Sequence, residues 1–320
     1  MDGVATFSGC GFFDNAAVGD YPVGTGGAIW SKGMVKSITG CVLANNSARR
    51  GGAFYTLNAS TTISSTEFSE NSAEEFGGSI VSNGVVLITN STFRGCSAIA
   101  GGAVYLTGDG DVTFDATTFS LNSATGEEGA GGGIYVKAAT ELMCNKCIFD
   151  SCDAAFGGGV FLTSDNNRTA APHGFVSSDF TNCTALKDGG SIYANSNISI
   201  VGGAFVTSSA SEVGGAVYVN SGASAVVSGS RFVNSSAVSG AAVFNAGTTT
   251  LVSSLFFDNA ASSSGGAIYS EGDVPRLDSC RFVANSAGQS GGAGFFGGSL
   301  HAIGGSSFER NAAGLSGGGL

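Results

Sequence analysis

The sequence predicts an all-β fold: a right-handed single-stranded parallel β-helix, a solenoid of about twelve coils with roughly 25–26 residues per coil. Three observations carry this reading. A Gly pair opens a unit at Gly26, Gly51, Gly77, Gly101, Gly131, Gly157, Gly189, Gly214, Gly240, Gly265, Gly291 and Gly317, failing in its second member only at Ala241. A second signature, Phe-x-x-Asn-x-Ala, starts eight to nine residues before most of these pairs. Composition is the third: 53 Gly and 3 Pro in 320 residues, charged residues at 12%, and apolar residues at 42%, enough to build a core.

Each coil is read in the same order. It opens on an apolar column: Phe7, Ile38, Ile63, Ile88, Phe114, Cys144, Phe175, Ile200, Val227, Leu251, Leu277 and Ile303. Five residues later stands the Phe slot, from Phe12 to Phe308, with Leu43 the one exception. Stacking of coils turns this slot into an aromatic core row. Three residues on, Asn15, Asn46, Asn71, Asn122, Asn259, Asn285 and Asn311 predict an amide ladder, each side chain bonding to the next coil's. Cys96, Cys152, Cys183, Ser208 and Ser235 fill the remaining coils. Ala follows two residues later in every coil, suiting a tight inward corner. The Gly pair then supplies backbone conformations that a Cβ resists. No segment shows helical periodicity with caps, and a unit this short must bury its apolar face on its neighbours. About three short strands per coil are expected, right-handed because parallel crossovers almost always are. At about 4.8 Å per coil, the whole chain reads as one continuous domain, 1–320, of roughly 55–60 Å.

After each Gly pair an aliphatic row (Ile29, Phe54, Ile80, Val104 and onward) is followed by an aromatic one. Trp30, Tyr55, Tyr105, Tyr135, Tyr193, Tyr218 and Tyr269 fall in this second row, with Val81, Phe161 and Phe244. Strand alternation turns the two rows to opposite faces. Six of the seven Tyr and the only Trp lie here, and none lies in the Phe slot. That segregation marks the row as a candidate contact surface; a semi-buried row that only steadies the strands is the blander alternative.

The Phe-x-x-Asn motif of Phe68-Ser69-Glu70-Asn71 and the Gly-Gly-Ala-Ile motif of Gly265-Gly266-Ala267-Ile268 alternate along essentially the whole chain. In this the chain resembles the repeat of the chlamydial polymorphic membrane proteins. The resemblance implies a β-helical passenger shown on a cell surface and used in adhesion. That family's secretion signal and translocating barrel are not seen, and the chain starts and stops within a repeat. A fragment of a longer protein is therefore expected, with uncapped ends open to end-to-end self-association.

Eight Cys invite a disulfide framework, yet their places are those of the columns. Cys10, Cys41, Cys147 and Cys280 stand two before the Phe slot, in a row otherwise filled mainly by Ser and Thr. Cys10 with Cys41, and Cys152 with Cys183, share slots in adjacent coils and are the pairs close enough for a bridge; buried small hydrophobes are the alternative. Cys144-x-x-Cys147 is two columns of one coil. A zinc site would need further ligands, and His173 and His301 are the only histidines. No metal and no cofactor is expected.

Extra residues at 18–25, 125–130 and 164–173 read as loops, the first two acidic through Asp20, Glu127 and Glu128. Asp109-Gly110-Asp111 is an ordinary turn with too few fixed oxygens for calcium. Asn-x-Ser/Thr sequons occur at Asn45, Asn58, Asn90, Asn167, Asn182, Asn197 and Asn234.

A net charge of −11 speaks against nucleic acid and anionic lipid as partners, and no apolar run is long enough to span a membrane. Glycan-cleaving enzymes use this fold class, so a pectate-lyase-like activity is weighed. The carboxylates Asp14, Glu70, Asp150 and Asp258 are spread over separate coils, without the facing pair that glycan hydrolysis needs. Ice binding would want a Thr face, and no column is mostly Thr. The expectation is a non-enzymatic, secreted or cell-surface scaffold of adhesin type. It would present loops and the aromatic row to glycans or cell-surface proteins. A purely structural spacer rod is the second alternative.

Overall fold

The computed structural model describes residues 4–19, 24–33, 35–58, 60–108, 110–137, 141–163 and 172–320. The fold is a right-handed parallel β-solenoid. Contacts group it into two units, Met1–Ala171 and Pro172–Leu320. The first holds 24 strands, from Ala5–Ser8 to Val160–Thr163, and the second 23, from His173–Val176 to Ala312–Ala313. Within each unit every strand pairs in parallel with its counterpart one coil away.

A coil has four strands rather than the expected three. In one coil of the first unit these are Val85–Thr89, Thr92–Arg94, Ser97–Ala98 and Val104–Leu106. The extra division comes from two left-handed corners. The residue before the Ser/Thr/Cys row has φ between +47° and +69°, as at Ala116 and Gly202. The residue before the Asn slot has φ between +53° and +63°, as at Leu121 and Gly95. Each corner turns the chain sharply, so the Phe slot occupies a three-residue strand of its own. Sequence periodicity shows what points inward but not where the backbone bends.

Leu121 is an exposed leucine held at φ +57°. An L side chain in this region costs about 1–2 kcal/mol, and glycine gives back about 0.5–1 kcal/mol of that as lost chain entropy. Leu121→Gly is therefore expected to stabilise the first unit by roughly 0.5–1 kcal/mol. A rise in its urea midpoint is the check.

The core consists of inward rows. In the first unit Phe68, Phe93, Phe119 and Phe149 stack with centroids 4.7–5.0 Å apart and planes within 6°. In the second, Phe180, Phe205, Phe232, Phe256, Phe282 and Phe308 do the same at 4.7–4.9 Å. The apolar column lies beside them, buried from Ile38 to Cys144 and from Phe175 to Leu277. The Gly pair closes the fourth corner. Gly189 sits at φ +66°, and a Cβ on Gly190 would lie 2.1 Å from the Gly215 carbonyl oxygen. Ala241 holds that second position in its coil, buried, with its amide donating to the Gly265 carbonyl (3.4 Å).

Candidate functional site

The polar rows inside the solenoid are built to hold coils together. Asn46 Oδ1 accepts from Asn15 N (3.0 Å) and Asn15 Nδ2 (2.9 Å). Asn46 Nδ2 donates to Asn71 Oδ1 (3.0 Å) and back to the Phe12 carbonyl (3.0 Å). In the second unit Asn259, Asn285 and Asn311 repeat the pattern. Asn122 works without an Asn neighbour: its Oδ1 accepts from Cys96 N (3.0 Å) and its Nδ2 donates to the Phe93 carbonyl (3.0 Å).

In two of the five coils whose slot is not Asn, a compensation appears that column counting does not reveal. Ser79 replaces the Ala that usually follows a Gly pair, and its hydroxyl meets Cys96 Sγ in the next coil at 3.0 Å. Ser191 does the same for Ser208 at 2.7 Å. Ser235 follows a coil that has Ala216 instead, and its buried hydroxyl has no partner.

All eight cysteines are free thiols in this structure. Cys41 takes the place of a hydroxyl: its Sγ accepts from Cys10 N (3.3 Å) and donates to the Thr39 carbonyl (3.4 Å). Cys152 is buried in the first unit and Cys183 in the second. Burial pushes the Cys96 thiol up to about 11, against the pull of Ser79. Burial, with Cys147 alongside, likewise holds the Cys144 thiol well above its ordinary value. Buried neutral thiols of this kind are poor nucleophiles. Among the described residues no group of three His, Cys, Asp or Glu could hold a metal ion.

The aromatic row lies on the outside of the fourth sheet, opposite the buried aliphatic row. In the first unit Trp30 is 54% exposed, Tyr55 and Tyr135 are half-buried, and Tyr105 is buried at 6%. The cause at Tyr105 is Phe76, which stands just before its Gly pair in register with Arg50 and Ala100. Val81 leaves the row without a ring, and Phe76 stacks on Tyr105 at 4.6 Å in its stead. Tyr105 continues onto Tyr135 at 5.0 Å and Tyr135 onto Phe161 at 5.1 Å. The Arg50 guanidinium covers the outer face of Phe76 at 5.0 Å. Glu75 clamps Arg50 and Arg49, each at 2.7 Å. Burial would raise the Glu75 carboxyl, but the two guanidinium groups outweigh it and hold it low.

In the second unit Tyr193, Tyr218, Phe244, Tyr269 and Phe295 form a column with centroids 4.6–5.5 Å apart. Its tyrosines are half-buried. Burial and then the neighbouring Tyr218 and Asp188 push the Tyr193 phenol upward, and burial raises Tyr269. The phenols are therefore protonated at neutral pH. Tyr218 donates to Asn220 Oδ1 (3.4 Å), and Asn220 Nδ2 donates to Asn195 Oδ1 (2.9 Å). Inside each column the ring faces lie against neighbouring rings. What faces solvent is a line of ring edges and hydroxyls.

Of the loop residues, Thr125–Glu128 are exposed beyond a turn closed by Gly129 N donating to the Gly126 carbonyl (3.1 Å). Val18 and Gly19 are exposed, while Asp20, Asp109, Asn167 and residues 164–171 lie outside the described residues. The sequon asparagines Asn45, Asn58, Asn90, Asn182, Asn197 and Asn234 are all exposed. Asp14, Glu70 and Asp258 stand at left-handed corners of separate coils.

His173 is 4% exposed, in the row that Ile198 continues. Burial pushes its imidazole down to about 4. The folded state thus disfavours protonation, so His173 costs nothing at pH 7 and destabilises as pH falls below the unfolded value of about 6.5. At pH 5 the loss is expected to reach about 1–2 kcal/mol. Urea titrations at pH 7 and pH 5, parent against His173→Val, check this: the variant should lose less stability on acidification.

Two family models match the chain. Residues 26–205 match the right-handed β-helix region. Residues 253–271, which include Phe256, Asn259 and Gly265-Gly266-Ala267-Ile268, match the Chlamydia polymorphic membrane protein repeat. No curated protein and no solved structure matches it.

Proposed function

Because this chain belongs to the right-handed β-helix family, we propose that it is a non-enzymatic, surface-associated scaffold of passenger type. It presents an ordered aromatic edge and its corner loops to a partner outside the cell. The observation that carries this reading is the outward row itself. The same strands that bury Ile192 and Ala194 turn Tyr193 outward, and the next coil does the same with Val217, Val219 and Tyr218. The row is stacked, half-exposed and protonated, a rigid surface that loses little entropy on contact. Stacking leaves hydroxyls and ring edges rather than ring faces for a partner. That favours hydrogen bonding to a protein surface over the stacking of sugar rings along the row. The separation of the carboxylates favours a scaffold over a glycan-cleaving enzyme.

The test is adhesion of the purified chain to cultured cells. The comparison is a variant carrying Tyr193→Ser, Tyr218→Ser and Tyr269→Ser, with circular dichroism to confirm its fold. Loss of at least about tenfold in adhesion, or about 1.4 kcal/mol, is the expected result. Equal adhesion by both proteins would remove the row from the mechanism.

A further inference from the structure

At one end of the aromatic row the chemistry changes. Trp30 is the most exposed aromatic of the row, and among the described residues it has no ring partner. It shares the strand Ile29–Lys32 with Lys32, two residues on, and both side chains are exposed on the same face. That places their Cβ atoms about 6.6–6.8 Å apart. Lys36, also exposed, follows on the adjoining strand Val35–Thr39. Neither lysine has an ion pair among the described residues. The strands that flank them, Ala5–Ser8, Phe54–Leu57 and Ser60–Ser64, contain no carboxylate. Two cations without an ion pair among the described residues thus stand near the one tryptophan of a chain of net charge −11. Next to Lys36 the outer face of the first sheet carries hydroxyls in register, with Thr6 paired to Ser37 and Ser37 to Thr62.

We propose that Trp30, Lys32 and Lys36 form a binding site for an anionic oligosaccharide, one bearing carboxylate or sulfate groups. This rests on the reading of the outward row as a contact surface and names a ligand for its most exposed ring. A sugar ring offers an apolar C–H face, which suits the free indole, and a rim of hydroxyls, which suits Thr6, Ser37 and Thr62. Lysine ammonium groups serve as point charges for the acidic substituents. Charge complementarity selects the ligand's size as well. The acidic remainder of the chain repels an extended polyanion such as nucleic acid. A short acidic sugar sits within about 8 Å of the two lysines, inside the screening length at physiological salt.

Because Trp30 is the only tryptophan, its fluorescence reports on this site alone. The probes are an oligogalacturonate for carboxylate and a chondroitin sulfate oligosaccharide for sulfate, with a neutral malto-oligosaccharide and a short DNA duplex as controls. A saturable change in Trp30 emission with one or both acidic sugars, weakened by added salt, is expected. Lys32→Gln and Lys36→Gln keep the fluorophore and should each weaken that binding by about tenfold. Trp30→Ala, followed by calorimetry, should abolish it while the circular dichroism spectrum is kept. The inference is overturned if neither acidic sugar binds, if the neutral sugar or the duplex binds as well, or if the lysine variants bind like the parent. A parent that adheres to cells through its tyrosines yet ignores both acidic sugars would sink this site and leave the contact surface standing.

Discussion

Phe232→Ala is expected to destabilise the second unit by about 3–5 kcal/mol, the largest effect of any single substitution considered. The ring is fully buried and stacks on Phe205 at 4.7 Å and on Phe256 at 4.9 Å. Deleting it removes apolar area and two ring contacts. The cavity cannot collapse easily, because the coils on either side are fixed by their own backbone ladders. Urea unfolding gives the midpoint, and hydrogen exchange on peptides from 204–206 and 255–257 shows whether the damage stays with the neighbours, as a solenoid's nearest-neighbour energetics requires. Phe232→Leu should cost much less, about 1–1.5 kcal/mol, since Leu43 already fills this slot fully buried. Outward-facing Val233→Ala should stay within about 0.5 kcal/mol. If Phe232→Ala cost no more than Val233→Ala, the aromatic row would not be the core.

Asn285→Ala comes next, with an expected loss of about 3–4 kcal/mol. Asn285 Oδ1 accepts from Asn259 N (3.1 Å) and Asn259 Nδ2 (2.9 Å). Its own Nδ2 donates to the Phe256 carbonyl (3.0 Å) and Asn311 Oδ1 (2.9 Å). Truncation strands buried donors on one side and an acceptor on the other, each costing roughly 1–3 kcal/mol. The Ser79–Cys96 and Ser191–Ser208 contacts supply a sharper form of the test. Asn285→Ser alone should destabilise, and adding Ala267→Ser in the preceding coil should recover about 1 kcal/mol. A double-mutant cycle measures that coupling. A coupling of zero would mean that the paired serines are coincidental.

Much of this architecture is legible because the chain serves as its own alignment. Phe93, Phe119 and Phe149 share a slot twelve times repeated, and one side chain in that slot predicts the others. The Asn row and the outward aromatic row follow from the same register. What stays hidden depends on contacts between columns. Phe76 stands just before its Gly pair, in register with Arg50 and Ala100, and that mixed position does not announce that it fills the gap at Val81 and buries Tyr105. Ser79 reads as an unremarked exception to Gly-Gly-Ala until Cys96 is seen beside it. The four-strand coil is hidden because the left-handed corners hold Leu121, Glu70 and Arg310 as well as Gly95, leaving no common residue type to find. Strand alternation turns Trp30 and Tyr218 outward, each in its own unit, but it does not say which ring is the more exposed.

The amide rows carry one more consequence. Parallel strands alternate the direction of their hydrogen bonds, so the backbone dipoles of a sheet largely cancel. The asparagines do not alternate: the Nδ2 groups of Asn15 and Asn46, and again of Asn259 and Asn285, each donate to the following coil's Oδ1. Each run is a short wire of aligned dipoles, negative at its N-terminal end and positive at its C-terminal end. Each amide polarises the next, so the two bonds of a run strengthen one another. Each unit thereby acquires an electrical direction along its own run of asparagines that its sheets by themselves do not have.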